Sequence, residues 1–178
     1  MIWIGPEPPD AAPAREALLD RAFGAGRLFR TAERLREGRL PAPGLVFASL
    51  DSSDAGGSEL VGTLRFWNVR IGERIDALLL GPVAVAESRR DQGVGARLIR
   101  RGLAAAVALG HGAVILVGDA PYYRRFGFDA APARGFDLPG PVDRLRLLGL
   151  ELAPGALAAA DGLVHPAGEA ASRQRRAA

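Results

Sequence analysis

One continuous stretch constrains the fold more than any other: LLLGPVAVAESRRDQGVGARLIRRGLAAAVALGHGAVILVG, residues 78–118. It runs from an apolar strand (74–87) through a basic turn with two glycines into a helix (93–109), then into a second apolar strand (113–118). In the helix, Val94, Leu98, Ile99, Gly102, Leu103 and Ala106 recur at helical spacing on one side, while Arg97, Arg100 and Arg101 fall mainly on the other. That pattern packs a helix against a sheet. Gly93 and Gly95 are poor helix formers, so a helix that starts on them asks for a reason.

A helix start carries N–H groups with no partner inside the helix, and the helix dipole favours negative charge there. With no Cβ at Gly93 an anionic group can approach the backbone, and Gly95 permits close contact between helix and strand. A pyrophosphate fits this turn, with Arg89 or Arg90 adding charge-assisted bonds. The bland alternative is a tight turn with no ligand. The dinucleotide fingerprint does not apply, because Gly93-x-Gly95 is followed by Leu98 and the next strand, AVILVG, carries no acid for a ribose.

Upstream, Gly81-Pro82 interrupts the long strand. Proline removes a ladder donor, which predicts a bulge that splays the strand and turns backbone groups of Val83 and Val85 toward an opening; a kinked core strand is the other reading. Downstream, VGDAPYYRRFGF (117–128) sets Tyr122 and Tyr123 in a short helix over 120–126 that ends near Gly127.

The rest of the chain fills in around this unit. A strand is expected at 2–4, a helix at 13–23 capped by Asp10 with Leu18, Leu19, Ala22 and Phe23 on one side, and a second helix at 27–37. Strands follow at 44–50 and 59–71, joined by a turn-rich loop at 51–59, and a late strand spans 144–152. The order predicts an α/β (α+β) fold with a mixed, mostly antiparallel sheet in one domain, residues 1–165, followed by a mobile tail at 166–178.

Composition narrows the chemistry. The 178 residues include no cysteine, which excludes disulfides, thiolate nucleophiles and cysteine metal ligands. All 23 basic residues are arginine, so a Walker-type phosphate loop and lysine Schiff-base chemistry are excluded as well. A formal charge of +3 is small for this length and gives little support to a nucleic-acid partner. No apolar run reaches the roughly 18 residues of a membrane span. The opening MIWIGPEPPD does not read as a signal peptide, so a cytoplasmic protein is expected. His111, after Gly110, reads as a complement to a helix C-terminus. With His165 far away in sequence, it does not suggest a metal site.

Taken together, the turn Arg90-Asp91-Gln92-Gly93-Val94-Gly95, its placement five residues after Val85, and Tyr123 four residues before Gly127-Phe128 resemble the GNAT superfamily of acyl-CoA-dependent N-acetyltransferases. LLLGPVAV, LGHGAVILVGDAPYYRRFGF and LELAPGAL further resemble a bacterial branch of that superfamily, and the likeness covers most of the chain. The family often has a basic residue where this chain has Gln92, which leaves Arg89 as a substitute cation; Gly118-Asp119 replaces the family's frequent asparagine, and Asp119 is given no such role.

The resemblance implies a central sheet with a bulged strand and flanking helices, and acetyl-CoA as acyl-donor cosubstrate, with no metal. It implies pantetheine along Val83, Ala84 and Val85, and pyrophosphate on the turn of Arg90, Asp91, Gln92, Gly93, Val94, Gly95 and Ala96. An amine of a small molecule or peptide would attack directly in a ternary complex. An N–H of Val83 or Val85 would face the oxyanion, and Tyr123 would serve as general acid to the CoA thiolate. Tyr122 is read as core, and Glu73 and Asp76 are the base candidates, each also readable as a solvated strand-end charge. The resemblance allows a homodimer. The competing readings are a non-catalytic acyl-CoA-binding regulatory module and an arginine-rich nucleic-acid binder, the latter distinguished by steep salt dependence.

Overall fold

The computed structural model describes residues 1–52 and 57–171. Its frame is an eight-stranded sheet: β1 (Ile2–Pro6), β2 (Val46–Ser52), β3 (Ser58–Ile71), β4 (Ile75–Val85), β5 (Ala113–Val117), β6 (Phe136–Asp137), β7 (Leu147–Glu151) and β8 (Gly162–Pro166). The main path runs β1-β2-β3-β4-β5-β7. All neighbours along it are antiparallel except β4 and β5, which are parallel because helix α2 (Val94–Ala108) crosses between them. The other two helices are α1 (Ala12–Phe23) and α3 (Ala120–Tyr123). Among the described residues no helix is long and apolar enough to cross a membrane.

Alternation along the strands divides the core. On β5, Val114 and Leu116 join Leu64, Phe66, Leu78 and Leu80 beneath Val94, Leu98, Ile99 and Ala106 of α2. Ala113 and Ile115 point the other way, into a cluster with Trp67, Val69, Leu79, Phe136 and Leu35. A smaller cluster seats Leu18 and Leu19 of α1 on Ala48, Leu60 and Ala84. Gly102 brings α2 onto the sheet, since a Cβ there would stand 2.5 Å from the Phe66 ring.

Several expected elements take a different form. Asp10 does not cap α1; Ala11 holds the N-cap position in a helical conformation, its N–H bonded to the Pro8 carbonyl, and Pro13 starts the helix instead. The helix expected at 27–37 is two 3₁₀ turns, Ala25–Phe29 and Thr31–Leu35, parted by extended Arg30. Leu35 is their one buried residue, and Phe29 is 88% exposed, so no apolar stripe exists to hold a longer helix down. β8, not foreseen, lies beside Val69–Ile71, the end of β3 that β2 leaves unpaired.

Within the segment read as a tail, residues up to 171 are tied to the fold: Glu169 accepts from the Leu40 N–H and the Ala171 N–H donates to Gly38. The remainder of that segment, 172–178, and residues 53–56 of the loop read at 51–59 lie outside the described residues.

Candidate active site

The break in β4 is a bulge. Leu64 faces Val83 and Phe66 faces Leu80, so Arg65 alone opposes both Gly81 and Pro82. Gly81 has φ 123, which suits glycine, and its carbonyl accepts a buried hydrogen bond from Trp67 Nε1 at 2.7 Å. Beyond the bulge β4 and β5 part company. Their pairing is confined to Leu78–Val114 and Leu79–Ile115, while β5 continues along β7 to Val117. The Ala86 N–H donates to Val61 of β3 at 2.8 Å. By alternation the backbone groups of Ala84 also face β3, and those of Val83 and Val85 face the opening between β4 and β5. Ala84 thus contributes its buried side chain to the α1 cluster and turns no N–H to the opening.

α2 begins at the wide end of this opening. Gly93 is its N-cap in left-handed conformation (φ 73), and the space where a Cβ would stand is empty to 4 Å. The Arg97 N–H makes the first helical bond, to Gly93, so the N–H groups of Val94, Gly95 and Ala96 precede the ladder. Gly95 fits between Val85 and Tyr122, its notional Cβ 3.5 Å from a Val85 methyl and 3.3 Å from the Tyr122 hydroxyl. Asp91 takes φ 60 to shape the turn, and Gln92 Nε2 donates to the Ser88 carbonyl at 3.1 Å.

The two arginines before the turn differ. Arg89 does not stand in for the missing cation, because its guanidinium is engaged by Asp51 on β2 at 2.5 and 2.7 Å. Arg90 is exposed; its backbone N–H donates to Glu87, and its guanidinium meets no hydrogen-bonded partner among the described residues.

Tyr123 closes the narrow end. The Asp119 carbonyl accepts from the N–H groups of Tyr122 and Tyr123 and so starts α3 directly after β5. The Tyr123 ring lies on Gly118, edge-on to Phe128 (5.9 Å) and Tyr122 (5.1 Å). Burial, aided by Tyr122 and Asp119 and opposed by Arg146, pushes its phenol up to about 12. The group therefore stays protonated at neutral pH. Tyr122, expected in the core, is half-buried beneath the Arg125 guanidinium at 4.6 Å and borders the glycine turn.

Tyr123 and the bulge share a cavity of about 800 Å³. Leu80–Val83 and Val117–Asp119 form one wall; the two 3₁₀ turns, Pro141–Asp143 and Arg146 form the other. Neither base candidate reaches it. Glu73 and Asp76 sit at the β3–β4 turn, the opposite end of β4 from the bulge, where Asp76 pairs with exposed Arg70 at 2.8 Å. The acids that do line the cavity are Glu33, Asp119 and Asp143. Glu33 and its neighbour Arg36 were not singled out, since a charged 3₁₀ turn has no periodic signal to mark it. Both histidines lie elsewhere, His165 on β8 opposite Arg70 and His111 at the end of α2. Burial lowers the pKa of His111.

A parallel strand pair splayed beside a glycine-started helix, with Tyr123 on the adjoining cavity, forms the frame of the site, and the family match gives its class as an acetyltransferase. Residues 17–131 match the acetyltransferase (GNAT) domain family. The chain is 32% identical over 165 residues to the uncharacterized N-acetyltransferase YhbS of Escherichia coli (strain K12), covering 92% of this chain and 95% of that protein. A crystal structure of Escherichia coli YhbS in complex with CoA superposes with a TM-score of 0.74 over 93% of this chain and 88% of that chain, at 32% identity. A GNAT family acetyltransferase from Brucella melitensis in complex with acetyl-CoA gives 0.63 over 97% and 96%, at 26% identity. The chain belongs to the GNAT family of acetyltransferases.

Proposed function

We propose that this protein transfers an acetyl group from acetyl-CoA to a primary amine of a small molecule or peptide, by direct attack in a ternary complex. One observation carries the reading: the unpaired backbone edge at Val83 and Val85 connects the open N–H groups of α2 to the cavity that holds Tyr123. The solved relatives with CoA and acetyl-CoA support the donor.

Val83 and Val85 would pair with the pantetheine arm as a strand would. The first-turn N–H groups around Gln92–Ala96 would take the pyrophosphate, with Arg90 as the free cation. Pro82 has no N–H, so that of Val83 is the first donor beyond the bulge and faces the thioester oxygen as negative charge develops there. The amine nitrogen forms its bond to the carbonyl carbon, the carbon–sulfur bond breaks, and the sulfur receives a proton or hydrogen bond from the Tyr123 hydroxyl. The amine's surplus proton leaves through the open cavity to solvent, and solvent returns a proton to Tyr123 when it has given its own to the sulfur.

Replacing Tyr123 by Phe tests this. General-acid assistance contributes roughly 10²- to 10⁴-fold, and a phenol near 12 is a weak acid, so kcat in a CoA-release assay should fall about 100-fold. The rise in melting temperature with acetyl-CoA should persist. An unchanged kcat removes Tyr123 from the mechanism. A wild-type protein that binds acetyl-CoA and acetylates nothing is the non-catalytic module instead.

A further inference from the structure

The acceptor wall has a feature that acetyl transfer does not use. Arg36, at the end of the second 3₁₀ turn, is only 12% exposed, and its Nη2 lies 3.1 Å from where a Cβ on Gly81 would stand. The guanidinium therefore rests on the bulge itself. Its compensation is poor: Nη1 reaches Glu33 Oε2 at 3.4 Å, and Nε is fully buried without a partner. A buried charge held by one long contact is costly unless something completes its bonding. Burial accordingly draws the Arg36 pKa down, more than Glu33 restores.

The rest of that wall is also short of negative charge. Elsewhere, Arg15, Arg65, Arg70 and Arg89 each meet a carboxylate, and of the other arginines lining the cavity Arg27 is held by Glu16 and Asp20 of α1. In the cavity, Arg30 stacks on Phe23 at 5.2 Å, Arg34 donates to the Pro139 carbonyl at 2.6 Å, and Arg146 donates to Gly118 at 3.4 Å. None of these three has a carboxylate partner among the described residues. Of the acids present, Asp143 already accepts from the Leu145 N–H at 2.9 Å.

We infer that the acceptor is a small zwitterion, an amino acid or close relative, whose carboxylate is held by Arg36 at the bulge and whose amine is the acetylated group. The planar guanidinium fork matches a carboxylate in two parallel bonds. Glu33 beside it meets the ammonium before deprotonation. With the carboxylate on Arg36, an α-amine comes to rest against Gly81–Val83, where the acetyl-transfer reading places the thioester carbon. The inference rests on that reading.

The test is thermal-shift and calorimetric titration with the proteinogenic amino acids and their carboxamides, with and without saturating CoA, followed by CoA release from acetyl-CoA. At least one amino acid should bind. Its carboxamide, having lost a charged hydrogen-bond acceptor, should bind roughly tenfold to hundredfold more weakly. Arg36→Gln should abolish that preference with the acetyl-CoA shift intact, and Arg36→Lys should restore part of it. Equal binding of acids and amides overturns the inference, and so does a preference that survives Arg36→Gln. An Arg36-dependent choice of succinyl-CoA over acetyl-CoA overturns it too, since the carboxylate would then belong to the acyl chain. If acetyl-CoA fails to bind, or no amine is acetylated, the transfer reading falls by a separate readout, while the carboxylate preference is still measured by binding.

Discussion

Gly118→Ala would move the Tyr123 hydroxyl without removing it. Gly118 follows β5 with no left-handed φ, so alanine suits its backbone, and its N–H bond to Arg146 is unaffected. The added methyl is the problem. It would stand 2.3 Å from Tyr123 Cε2 and 2.7 Å from Cδ2, with Leu116 Cδ1 at 2.9 Å on its other side. Restoring an ordinary carbon contact of about 3.5 Å moves the ring by about 1.2 Å. Tyr123 lines the cavity, so the ring can swing into open space and the overpacking cost should be small, about 1 kcal/mol. For a domain of this size that lowers Tm by roughly 2–4 °C. A displacement of about 1 Å at a reacting group costs about 100-fold in rate.

Steady-state CoA release should therefore show kcat down about 100-fold for Gly118→Ala, with the acetyl-CoA thermal shift kept. In the Tyr123→Phe background the same substitution should cost less than about threefold, because the hydroxyl it displaces is already gone. Wild-type kcat in Gly118→Ala, or losses that multiply fully in the double variant, would refute the assignment of Tyr123 to the leaving group.

Two further outcomes follow from charges already described. Arg90→Gln should raise KM for acetyl-CoA by roughly two- to fivefold, as for an exposed ionic contact, and the effect should fade with salt. Arg89→Gln should leave that KM unchanged, since Arg89 is held by Asp51; the reverse ranking would put Arg89 on the pyrophosphate. Burial holds His111 below its ordinary value, so the folded chain prefers it neutral. That stabilisation is whole above the unfolded value of about 6.5 and is lost as pH falls through it. Between about pH 7.5 and about pH 5.5, wild-type Tm should thus fall more than that of His111→Gln, and equal slopes would show that His111 titrates alike in both states.

The half of this site proposed to hold the donor was legible in the sequence because its signals are local. Gly81-Pro82 announces a bulge through the missing N–H, and the periodicity of Val94, Leu98, Ile99 and Ala106 fixes which face of α2 is buried, so the place of Gly93 and Gly95 at its start follows. The acceptor half was not legible, for reasons that are equally physical. Arg36 meets Gly81 across forty-five residues of chain, and a 3₁₀ turn with one buried leucine carries no periodicity to announce it. Glu73 and Asp76 were attractive as acids flanking a long strand, yet an eleven-residue strand puts its two ends far apart, and they flank the wrong one. Arg89 looked available until β2 brought Asp51 to it. The short β8, GLVHP, offers no clean alternation, and it is held by β6 and by the end of β3 that outruns β2.

The two walls of the cleft rest largely on different foundations. Val83 and Tyr123 lean on the cluster beneath α2, whereas Ala32 and Val142, joined by Val117 from the first wall, pack against the cluster on the opposite face of the sheet. Most residues on the proposed acceptor side can therefore be exchanged with little repacking of the wall that carries Val83 and Tyr123. On the acetyl-transfer reading, substitutions in the segment 25–36 would alter the acceptor side more than the donor side, Arg36 excepted because it rests on the bulge. A library confined to those twelve positions is the natural starting point for redirecting the enzyme.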